Sequence, residues 1–151
     1  MKQTIVILFF AIMGISTSIQ AQTKKYPSLN HIAIYVVSLE RATAFYRDVI
    51  GLEVMDEPFK DGRHSWFKVG DHSQLHIISG AAKAEVHPKD THLCFSVPSM
   101  KDFIAVLAQH HVTYEDWPGK PNTINKRVDG VQQIYFRDPD GYWIEINDDK
   151  Y

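Results

Sequence analysis

The chain has 151 residues, 44% of them hydrophobic and 23% charged, and a formal net charge of −2. That balance suits one globular domain and excludes the basic face that nucleic acid requires, which leaves a small molecule or another protein as partner. Cys94 is the only cysteine, so an internal disulfide is excluded and a packed core must carry the stability.

Met1-Lys2 gives a short positive start, residues 5–15 form an apolar run, and residues 16–21 are small and polar. The run is too short to span a bilayer comfortably. The pattern predicts a signal peptide over 1–21 and an exported chain, periplasmic or secreted, over 22–151. With no Cys at the cut, a lipoprotein is excluded; the competing reading is an uncleaved anchor. After cleavage no membrane association is expected.

Residues 31–37, HIAIYVV, alternate with the period of a strand. Ser38 follows as a helix N-cap. Leu39, Ala42, Phe45, Tyr46 and Val49 then recur at helical spacing, and Gly51 ends the helix. Strand-like runs follow at 52–59, 63–69 and 74–79, and a joint at 80–90. The pattern then repeats. Residues 92–97 form a strand, and Ser99 stands seven residues after His92 as Ser38 stands after His31. Phe103, Ile104, Val106 and Leu107 line a helix face. Strands are expected at 112–117, 131–137 and 142–147. The loop 118–127, rich in Pro, Gly and Asn, reads as a site rim or as plain surface.

Alternation places His31 opposite Ile32 and Ile34, His76 opposite Leu75 and Ile77, and Glu145 opposite Ile144 and Ile146. His92 shares a side with Cys94 and Ser96. Each copy thus offers one candidate ligand at the start of its first strand and one in its last. Taken singly, each His reads equally well as a hydrogen-bonded structural residue. Taken together at matching places, three imidazoles and a carboxylate suit a divalent ion: Zn, Ni, Co, Fe or Mn. Such an ion would also explain a carboxylate at the centre of a strand that looks buried. His64 is a further residue able to line a site. Lys126 and Arg127 are candidates to hold an anionic group, though solvated charge is the favoured reading. Tyr35, Trp66, Phe67, Trp117 and Trp143 are candidate pocket walls, with core packing the commoner fate.

The segments HIAIYVVSLERATAFYRDVIGLEV, HLCFSV and YFRDPDGYWIEI resemble the vicinal oxygen chelate superfamily, which includes glyoxalase I, extradiol dioxygenases and bleomycin-binding proteins. The resemblance covers about residues 29–148. It implies an α+β fold of two βαββ modules, about 29–80 and about 91–148, forming a curved mixed sheet around a central cup within a single domain. It implies His31, His76, His92 and Glu145 as metal ligands, with Glu145 also the catalytic base. The leading implied activity is that of a glyoxalase I-like lyase or isomerase, acting on a small vicinal-oxygen substrate through an enediolate. A histidine at 76 departs from the Glu or Gln of glyoxalase I. An Fe(II) dioxygenase and a non-catalytic small-molecule binding protein are the rival readings. A homodimer is expected if the modules pair across two chains.

Overall fold

The computed structural model describes residues 26–150, so the expected signal peptide lies outside the described residues. The first module runs β1 (His31–Val36), α1 (Leu39–Asp48), β2 (Val54–Met55), β3 (His64–Val69) and β4 (Ser73–Ser79). The second runs β5 (His92–Ser96), α2 (Met100–Gln109), β6 (Asn125–Lys126), β7 (Gln132–Arg137) and β8 (Trp143–Asn147). Each module folds into a four-stranded mixed sheet, ordered β1-β4-β3-β2 and β5-β8-β7-β6. In both, the first strand lies parallel to the last, while the other pairs are antiparallel. The α+β class and the duplication read from the sequence are what the chain adopts.

Both helices start where a serine can cap them. Ser38 Oγ accepts from the Arg41 N–H at 3.3 Å, and Ser99 Oγ accepts from the Asp102 N–H at 3.2 Å. Each bond satisfies a first-turn N–H that has no partner within the helix. The first helix ends through Gly51, at φ +82°, a left-handed conformation that costs glycine little.

The apolar faces of the two sheets share one core. Ile34, Val36 and Ile77 of the first module cluster with Ile134, Phe136, Ile144 and Ile146 of the second. The helices join it: Tyr46 lies 6.2 Å from Phe67, and Phe45 and Phe103 lie 6.3 and 6.2 Å from Phe136. A buried turn ties the modules further. The Val37 N–H donates to Asp140 Oδ1 at 2.7 Å, and the Tyr46 hydroxyl donates to Asp138 Oδ2 at 3.0 Å. Burial pushes the Asp138 carboxyl above its ordinary value despite the bonds it accepts.

Two expected strands differ. Segment 112–117 is not a ladder strand. Glu115 makes an isolated bridge with Tyr135, with reciprocal backbone bonds of 2.8 and 2.9 Å, and the fourth strand of that sheet is β6 instead. The alternation of Val112 and Tyr114 records their packing against the core, which does not require a ladder. Of 52–59 only Val54–Met55 pairs, and Pro58 has no N–H to extend the pairing.

Candidate functional site: two polar pairs on two sheets

Because side chains alternate along a strand, those opposite the shared core in each sheet are free to build a site. On the first sheet these include His31 and His76. In the β1–β4 register His31 faces Gln74 and Ala33 faces His76. On the second sheet His92 faces Trp143 and Cys94 faces Glu145. In both sheets, then, the first-strand histidine sits one register step of two residues before the last-strand candidate. The matching spacing in sequence has become matching geometry.

The contents of the two pairs differ. His31 and His76 stack, with ring centroids 4.2 Å apart and planes 7° apart. His76 also stacks on Trp66, at 4.1 Å and 3°. His31 Nδ1 lies 2.7 Å from Asn30 Oδ1, and His76 Nε2 lies 2.7 Å from Gln74 Oε1. Burial, followed by the neighbouring His31 and His64, lowers the pKa of His76 below its ordinary value and favours the neutral ring.

On the second sheet an imidazole faces a carboxylate. His92 Nδ1 lies 2.8 Å from the Lys89 carbonyl oxygen, which can only accept, so Nδ1 carries the proton. The other nitrogen, Nε2, points at Glu145 Oε2 across 3.2 Å. A lone pair and a carboxylate oxygen repel at that distance unless a cation, a proton or a metal ion, lies between them. Glu145 is buried, at 5% exposure. Burial acts to raise its pKa, but hydrogen bonds, led by that from Gln133 and joined by that from Asn147, outweigh it and hold the carboxyl below its ordinary value. The same neighbourhood works on Cys94, whose thiol is pushed up to about 12 by burial and by the adjacent Glu145 charge. The donor chemistry of His92 and Glu145 therefore fits a divalent cation.

Each pair is brought together, but the two pairs are not brought to one point. Among the described residues no three His, Cys, Asp or Glu side chains gather into a group able to hold a metal. The reason lies in the core: the two apolar faces are joined in one cluster, and each polar pair lies on the opposite face of its own sheet.

The other candidates are also placed. His64 Nδ1 bonds Asp61 Oδ1 at 2.9 Å and leans on Phe59. Arg127 is paired with Asp129 and Asp149, so it is already neutralised. Phe67 is core, Trp143 is buried, and Tyr35 and Trp117 stand exposed. Two residues with no ligand signature in the sequence adjoin the second pair, Lys89 at His92 and Gln133 at Glu145. Lys89 sets its Nδ1, pairs with Glu115, and places its ammonium 4.6 Å from the Trp143 ring. Gln133 donates to Glu145 Oε1 at 2.7 Å. Gln133 had no signal in the sequence, because its place beside Glu145 is set by the β7–β8 register. Lys89 had none, because it lies in an irregular segment.

Residues 28–146 match the family described as the glyoxalase/bleomycin resistance protein/dioxygenase superfamily. The chain belongs to that superfamily. It is 26% identical over 125 residues to Glyoxylase I 4 of Arabidopsis thaliana, covering 79% of this chain and 69% of that protein. It is 25% identical over 126 residues to the metallothiol transferase FosB of Staphylococcus epidermidis, covering 80% of each. In fold it resembles the fosfomycin resistance protein FosX of Listeria monocytogenes, with a TM-score of 0.66 at 20% identity, over 83% of this chain and 93% of that one. Superfamily members are mostly metal-dependent enzymes acting on small molecules.

Proposed function

We propose that this superfamily member is a metal-dependent enzyme whose working site is assembled from two copies of the chain. Its substrate would be a small molecule with oxygens on neighbouring carbons. One observation carries the reading: His92 Nε2 and Glu145 Oε2 face each other at 3.2 Å, while His92 Nδ1 is already committed to Lys89. That is half of a coordination set. His31 and His76 of a second copy would supply the other half, and the identical register step in the two sheets supports the pairing. A bound divalent ion would supply Lewis acidity, polarising a substrate oxygen and acidifying the neighbouring C–H. Of this chain's residues, His31, His76, His92 and Glu145 would hold the ion, and Glu145 Oε2 would receive the proton. This is lyase or isomerase chemistry, and the similarity to a glyoxylase I is consistent with it.

A second reading rests on His76. Its Nε2 is bonded to Gln74, and its ring lies parallel to that of His31. In-plane lone pairs on parallel rings about 4 Å apart do not aim at one ion. Without His76, His31, His92 and Glu145 form a two-His-one-carboxylate set, suited to Fe(II) oxygen chemistry. Oxygen uptake by iron-loaded protein with candidate substrates separates the two readings.

The assembly is tested by mixing copies. His31→Ala and Glu145→Ala should each lose tight metal binding. Unfolded and refolded together, they should regain about a quarter of the sites, the share in which random pairing joins two intact halves. Failure to recover, or a monomer in solution that holds one ion per chain, sinks the two-copy site. Residues 1–21 are proposed as an export signal; protein recovered from its native source should begin at Gln22.

A further inference from the structure

The two oxygens of Glu145 have unlike surroundings. Oε1 accepts from Gln133 Nε2 at 2.7 Å, from Asn147 Nδ2 at 3.1 Å and from the Cys94 thiol at 3.4 Å. Oε2 faces His92 Nε2. The two amides have no freedom to turn over. Asn125 Nδ2 donates to Gln133 Oε1 at 3.0 Å, which turns the Gln133 NH2 toward Glu145. Ser96 Oγ and the Asp149 N–H donate to Asn147 Oδ1 at 2.9 and 3.2 Å, which turns the Asn147 NH2 the same way. Gln133 is 7% exposed and Asn147 3%, so water does not compete for these bonds. Donors from three strands of the second sheet, β5, β7 and β8, therefore converge on one carboxylate oxygen, and Asn125 of β6 orients one of them.

We propose that Gln133 and Asn147 are positioning residues that tie Glu145 Oε1 and leave Oε2 as its single working oxygen. The inference rests on the metal reading above and goes further. Glu145 then binds an ion through one oxygen only, and the carboxylate does not close on the ion with both oxygens. Register explains why these two residues do it: Gln133 pairs with Asn147, and Tyr135 pairs with Glu145, across β7 and β8. Both amides are thus cross-strand or same-face neighbours of the carboxylate. Asn125 acts one step further out, through Gln133.

The test uses the full chain loaded with Zn(II), with affinity read by competitive titration. Glu145 binding mode is read from the separation of its two carboxylate stretches in the infrared, isolated as the difference from Glu145→Gln. Gln133→Met keeps side-chain length and removes the donor. It should weaken Zn(II) binding about 10–100-fold, as loss of an outer partner of a ligand does. It should also narrow the carboxylate splitting, since a freed Oε1 joins the ion. Asn125→Ala should do the same more weakly, because Gln133 is then free to turn over. Unchanged affinity and splitting in Gln133→Met overturns the inference. So does weaker binding with unchanged splitting, which marks packing damage alone. A native chain that takes up no Zn(II), Co(II) or Fe(II) overturns this inference and the metal reading together; a failure confined to Gln133→Met leaves the metal reading standing.

Discussion

The two modules each carry a polar pair in the same register, but the pairs differ in content and in what they do. In the second sheet an imidazole and a carboxylate face each other at 3.2 Å, and each is held from behind by named partners. In the first, two imidazoles stack on each other and on Trp66. The second pair is preorganised for a cation, since its geometry is set by buried hydrogen bonds with little rotamer freedom left. The first is held by ring stacking and by contacts nearer the surface, His31 itself being exposed. Duplication therefore fixed where the polar residues stand, and the neighbours then decided what each pair can do.

The largest effect belongs to the second pair. His92→Ala or Glu145→Ala should abolish tight metal binding, whereas His76→Ala should leave part of it; titration with Zn(II) ranks the three. Equal losses would show that the halves contribute alike. The core should be indifferent to the distinction. Phe67, at 0% exposure in the first module, and Phe136, at 2% in the second, belong to one cluster. Each Phe→Ala should cost about 3–5 kcal/mol in chemical denaturation, and a loss confined to one module would refute a shared core.

The tie between the modules comes next. Asp140 is 1% exposed and accepts the Val37 N–H, so Asp140→Ala leaves a donor unpaired and should cost about 1–3 kcal/mol. Ser38→Ala and Ser99→Ala should each cost about 1 kcal/mol, the worth of an N-cap, and similar values would show the two helix starts to be true repeats. The smallest effect concerns pH. The folded-state pKa of His76 lies below its ordinary 6.5. Between those two values the unfolded chain binds the proton more readily, so stability falls as pH drops below 6.5 and is fully present above it. His76→Gln should flatten that slope; an unchanged slope would assign it to another group.

Several features were legible in the residues themselves. His31, Ile32, Ala33, Ile34 and Tyr35 alternate, and strand geometry has only two faces. Ser38 and Ser99 open their helices as their positions before the apolar repeat require. The glycine at 51 closes the first helix in a conformation that other residues avoid. What misled was segment 112–117, where a period of two recorded burial and not pairing. Gln133 and Lys89 carry no signal in the residues themselves, because their importance lies in what they touch, through cross-strand register or an irregular turn.

The sequence by itself determined the class of fold, its duplication, the faces of the strands, and the residue types able to meet a cation. These are local properties, set by a side-chain period of two in strands and near 3.6 in helices. Only the tertiary structure decided that the apolar faces of both sheets join in one core, which leaves each polar pair on the opposite face and short of its counterpart. It also decided which Glu145 oxygen is tied and which is free. Both outcomes depend on contacts between residues far apart in the chain, where burial and hydrogen-bond geometry, and not local periodicity, select the arrangement.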